Sequence, residues 1–294
     1  MDNVMERIAD RPRRLYQRAV LAVALVLVSY CLTFAISGSV AGLVSRSIKG
    51  GGVFVNLGFF SALVFLVIPR LLKLPRGKLP FREYLQAVGL RTGGSLGRIV
   101  ILALSCSVIF AVSQLCGSLI YYAVHPGRYT LDISRHGLLD PGCITAGVFE
   151  EIVMRGVIVT LLLGVFSRRK AVVVSAGIFG GFHLLNLLNP GANTVWVLAQ
   201  VVWAFGLGIM YAYLFITTRS ILPGILIHYL VNATVNVWFK GPVAGGEIAS
   251  ALYGIPFFGL LPAGIAVLWG RYLWNVARPK PGIVTATAPN GART

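Results

Sequence analysis

The chain has 294 residues, 56% hydrophobic and only 12% charged, with a mean hydropathy of +0.80 and a formal net charge of +17. A water-soluble domain carries about a quarter of its residues as charges, so a soluble fold is excluded. The basic residues sit between apolar runs rather than on one polar face, which reads as positive-inside bias and attraction to anionic membrane lipid, with no nucleic-acid partner.

Taken in chain order, a short basic segment, Met1 to Arg18, precedes the apolar run Ala19–Val44. That run is too long for a signal-peptide core and reads as an uncleaved first span. Further spans are expected at Val53–Leu72, Ile99–Val124, Pro141–Phe166, Ala171–Leu188, Thr194–Thr217, Ile221–Phe239 and Ala251–Gly270. Each is long enough for a hydrocarbon core of roughly 30 Å. Asp140 and Pro141 give the fourth span a clear start, as cap and first helical residue. Between the second and third spans, Phe81–Leu90 reads as a short amphipathic stretch lying in the interface. The tail, 279–294, is rich in Pro, Gly, Ala and Thr and is expected to be disordered. Four cysteines without CxxC spacing indicate neither a disulfide framework nor a thiolate metal site.

The expected fold is therefore all-α: one polytopic domain, 1–294, of about eight transmembrane helices. Of the 26 Lys and Arg, 20 fall on one side of these spans and 5 on the other, which places both termini in the cytoplasm. The chain is expected as a multi-pass protein of a prokaryotic cytoplasmic membrane.

Only five ionisable side chains other than cysteine and tyrosine fall well inside spans: Glu150, Glu151 and Arg155 on the fourth, His183 on the fifth and His228 on the seventh. Charge at membrane depth is expensive, so such residues point to function. Glu151 and Arg155 are four apart in the favourable order and are expected to form a buried ion pair. Glu150, rotated about 100° away, lacks that partner and is free to act as a base. Phe179 precedes His183 by one turn, and Asn232 follows His228 on the same face, with Asn236 continuing that stripe. A pair of small residues, Gly177 and Gly181, has the GxxxG spacing of close helix packing. The bland reading of each buried polar residue is interhelical packing. A transporter or proton-coupled channel would use the same Glu and His as a relay, but the inverted repeats of such proteins are absent from the sequence.

Together, Glu150-Glu151-x-x-x-Arg155, Phe179-x-x-x-His183 and His228-x-x-x-Asn232 resemble the three motifs of the CAAX-protease and bacteriocin-processing family of intramembrane peptidases, which includes the type II CAAX prenyl endopeptidases. The resemblance is confined to the catalytic helices within 141–239. It implies an endopeptidase acting on a membrane-associated or lipidated protein or peptide. Glu150 and His183 would activate a water, His228 and Asn232 would stabilise the oxyanion, and Glu151, Arg155 and Phe179 would support them. A catalytically idle scaffold or immunity protein is the alternative within the family.

No cofactor is favoured. Zinc is possible, held by Glu150, His183 and His228, but no carboxylate behind either histidine is evident in the sequence, which favours water activation without metal. Counted from the external ends of the spans, Glu150, His183 and His228 lie at depths of about 14, 8 and 17 Å, from 1.5 Å per residue. Such a site faces the external leaflet.

Overall fold

The computed structural model describes residues 2–48, 51–71, 81–90, 95–124, 140–234 and 251–276. The tail 279–294, Asn236 and the end of the seventh expected span lie outside these. The described residues are helical with no strand: α1 (Asp2–Ser47), α2 (Gly51–Leu71), α3 (Phe81–Ala87), α4 (Leu96–Val124), α5 (141–163), α6 (Arg168–Phe182), α7 (Thr194–Thr218), α8 (Leu222–Thr234) and α9 (Ala251–Trp274).

Six of these segments are long and apolar enough to cross a membrane, α6 counted with the 3₁₀ turns that extend it to Leu188. Two expected spans are not among the six. Helix α5 carries Glu150, Glu151 and Arg155 within its length, and α8 has only 13 described residues. Large apolar side chains such as Leu21, Leu32, Ile101 and Val108 point outward from α1 and α4, as lipid-facing surfaces do. The chain is an integral membrane protein.

Helix α5 runs through the interior of the bundle. Its start is capped as the sequence indicates: the Asp140 carboxylate accepts from the Gly142 amide at 2.7 Å, with Pro141 in the first turn. Every residue from Glu151 to Val159 is buried, so no face of this stretch meets lipid. It contacts α1, α6 and α8. It also winds as π-helix over Ala146–Glu150 and Ile152–Val159. Such widened turns are rare and concentrate at functional sites.

Two sequence expectations are corrected. Gly177 and Gly181 face open space, so the GxxxG pair does not join helices. The close approach of α6 to α7 is made instead by Gly180 and Gly208. A Cβ on Gly180 would lie 2.8 Å from the Val201 carbonyl oxygen, and one on Gly208 would lie 2.8 Å from Ala176 Cα. The spacing was right for a small face, but the contacting face is rotated around the helix.

The stretch Phe81–Leu90 does not merely float in the interface either. Tyr84 is buried and donates to the Val64 carbonyl at 2.8 Å, and burial raises its phenol pKa. Thr160 donates to the Ala87 carbonyl, and the Ile221 amide donates to that of Gly89. Gly89 adopts φ +75°, and a Cβ there would meet the Phe215 ring at 2.7 Å. Glycine alone fits both demands. This connector is thereby pinned to α5, α7 and α8.

Candidate active site

Helix α5 presents two adjacent carboxylates in different directions. Glu150 is partly exposed, its side chain at 26%, and faces a cavity of about 270 Å³. Glu151 is fully buried and turns toward α8. There it accepts from His228 Nδ1 at 2.9 Å, while Arg155 Nη1 sits 3.0 Å from the same oxygen. Its other oxygen lies where α8 has Gly224, and a Cβ at that position would be 2.8 Å away. The absence of a side chain at Gly224 is what lets the carboxylate reach the histidine.

A carboxylate therefore does stand behind one histidine, contrary to the expectation from sequence. Glu151 was paired there with Arg155 alone, because 77 residues separate it from His228 and helical spacing cannot show a contact across helices. The ion pair itself forms, but the guanidinium is held chiefly by rings. It lies 4.0 Å from the Phe179 ring centre and 4.7 Å from that of Tyr211, and the Nη1 approach to Glu151 lacks hydrogen-bond alignment. Cation–π contacts of this kind gain strength when desolvated.

His228 is clamped on three sides. Glu151 holds Nδ1, Tyr211 stacks on the ring at 5.4 Å and 20°, and Phe179 meets it edge-on at 5.9 Å. Its Nε2 remains directed toward Glu150, 3.9 Å away. His183 sits where α6 passes into 3₁₀ turns. Its Nδ1 contacts the Phe179 carbonyl at 3.0 Å, and its ring meets the Phe179 ring edge-on at 5.1 Å. Since the carbonyl and the Glu151 carboxylate can only accept, each histidine carries a proton on Nδ1. His183 Nε2 is then a lone pair in the neutral ring. His228 Nε2 donates only when that ring is doubly protonated.

Glu150, His183, His228 and Asn232 all line the one cavity, with Phe179 in its wall; Glu151 and Arg155 lie behind it. Sequence reasoning missed Tyr211, whose signal was a tyrosine in the middle of an apolar span, where its hydroxyl needs a partner. It also missed Tyr30 and Phe34 of α1 and Gln200 of α7, which are among the other lining residues. Tyr30 and Phe34 also line a second cavity of about 230 Å³ between α1, α2 and α5, and Glu150 borders both. Among the described residues no three His, Cys, Asp or Glu side chains are grouped to hold a metal ion.

Residues 139–234 match the family described as type II CAAX prenyl endopeptidase, Rce1-like. That match bears out the recognised family. It covers a third of the chain, the third that holds Glu150, Glu151, Arg155, Phe179, His183, His228 and Asn232. The family is one of proteases. No curated protein and no solved structure matches the chain.

Proposed function

We propose that the chain is an intramembrane endopeptidase of the glutamic type, cutting a membrane-associated or lipidated protein or peptide with a water activated by Glu150 and His183. The observation that carries this reading is the convergence of Glu150, His183, His228 and Asn232 on one cavity. Glu150 takes a proton from water while the His183 Nε2 lone pair accepts the other hydrogen bond. The resulting hydroxide attacks the scissile carbonyl carbon. The Asn232 amide and the doubly protonated His228 donate to the oxyanion, which a preorganised site stabilises strongly. On collapse, Glu150 returns its proton to the leaving amine. Glu151, Arg155 and Phe179 position His228 and His183 and take no part in proton transfer.

Two cavities meeting at Glu150 accommodate an extended chain laid across the carboxylate, one side against the aromatic wall of Tyr30, Phe34 and Phe60. In the same reading the protein is a single domain of eight spans. Helices α5 and α8 supply the two beyond the six long apolar ones, and both termini face the cytoplasm of a prokaryote. The catalysis needs no metal.

The test compares membrane peptides from cells carrying the wild-type protein and Glu150→Gln, with and without a strong chelator. The reading expects an uncut substrate to accumulate only with the variant. Cleavage lost on chelation and restored by zinc would overturn the metal-free mechanism. Identical peptides in both strains would overturn the peptidase.

A further inference from the structure

Four arginines of three separate segments converge away from the candidate active site. Arg168 and Arg169 open α6, Arg219 follows the end of α7, and Arg271 lies near the end of α9. They line a cavity of about 730 Å³ whose remaining walls include Val172, Val173, Ile216, Tyr213 and Trp274. No Asp or Glu lines it, and among the described residues none of the four arginines has an ion-pair partner. The neighbouring Lys170 turns away, its ammonium over the Phe166 ring at 4.8 Å. Arg219 is the one non-glycine residue with positive φ among those described, at 56°. That left-handed residue closes α7, its amide donating to the Phe215 carbonyl, and puts a fourth cation at the cavity.

Uncompensated like charges repel one another, and an anion between them removes that repulsion. The depth of the cavity identifies the anion. Three candidate spans, α6, α7 and α9, all end beside it, so it lies at the boundary between hydrocarbon and water. Arginine, tyrosine and tryptophan together are what that boundary selects. Its walls have a cationic end and an apolar side, and Val173 is 52% exposed where acyl chains run. Guanidinium forks bind phosphate oxygens in pairs.

We propose that this cavity is a binding site for an anionic phospholipid, the arginines holding its phosphate and the apolar wall of Val172, Val173 and Ile216 taking the start of its chains. The site is separate from the peptidase cavity, so the proposal stands whether or not that reading does. A free phosphate shares the headgroup chemistry but makes no use of the apolar wall.

The test uses the full chain in a neutral detergent, titrated with dioleoyl phosphatidylglycerol, dioleoyl phosphatidylcholine or inorganic phosphate. Bound lipid is counted by native mass spectrometry, and melting is followed in parallel. One phosphatidylglycerol is expected to bind in preference to phosphatidylcholine. Arg168→Gln and Arg271→Gln should each weaken it about fivefold, from the roughly 1 kcal/mol per basic residue typical of lipid surfaces. Arg82→Gln, an exposed arginine outside the cavity, should leave it unchanged. The arginines named are surface residues, and an unchanged melting curve without lipid identifies variants that fold. Equal binding by wild type and both cavity variants would overturn the site. Stabilisation by inorganic phosphate equal to that by the lipid would overturn the lipid assignment.

Discussion

Tyr211 buries a hydroxyl that has no hydrogen-bond partner among the described residues, while its ring touches both Arg155 and His228. The ring and the hydroxyl therefore have separable effects. Tyr211→Phe keeps the stack and removes an unsatisfied polar group, so thermal unfolding should show stability unchanged or raised by about 1–3 kcal/mol. Cleavage should persist. A marked loss of activity in Tyr211→Phe would mean that the hydroxyl has a role in the reaction. Arg155 contrasts with it. Arg155→Ala takes the cation from beside the buried Glu151 carboxylate, leaving it the His228 contact, and removes two ring contacts, so the yield of folded protein should fall, by about 3–5 kcal/mol in stability if the pair behaves like other buried ones. Wild-type stability in that variant would contradict the structural role.

At the scale of helices, the α6–α7 contact gives the clearest contrast. Gly208→Val must push Ala176 of α6 away, and Gly180→Val meets the Val201 carbonyl. Both should lower the melting temperature sharply, as overpacking by even a few methyl groups costs about 1–3 kcal/mol. Gly177→Ala and Gly181→Ala meet nothing within 4 Å and should be neutral or slightly stabilising. The reverse order of effects would show that the helices pack through the GxxxG face after all. Sequence could find these helices because apolar length is a strong signal, and it found the Asp140 cap because capping is local chemistry. It could not rank four nearby glycines, because which face of α6 meets α7 depends on the whole bundle. The π winding of α5 was equally invisible: no residue type marks it, and it changes which way Glu150 and Glu151 point.

At the scale of the whole molecule, intramembrane charge was the guide to the site. Five ionisable residues scattered over 79 positions line or adjoin one cavity, because the membrane leaves few other places for them. What was not legible was the contact from Glu151 to His228, a product of tertiary packing between α5 and α8. The proposed orientation rests on charge counting and is open to direct test. In a variant without native cysteines, Thr194→Cys and Ser167→Cys each lie at the amino-terminal end of a helix, α7 and α6, and consecutive spans put those two ends on opposite faces of the membrane. An impermeant thiol reagent applied to intact cells should label the first and spare the second; labelling of Ser167→Cys alone would invert the topology.

The most direct measurement is turnover, by purified wild-type protein and Glu150→Gln side by side, of the uncut substrate that accumulates with the variant, with melting recorded on the same samples. Removing a general base typically lowers the rate by about 10²–10⁴-fold. Glu150→Gln should lose that much activity at an unchanged melting temperature. A variant that folds normally and still cuts at a rate within about threefold of wild type, far short of that loss, would contradict it.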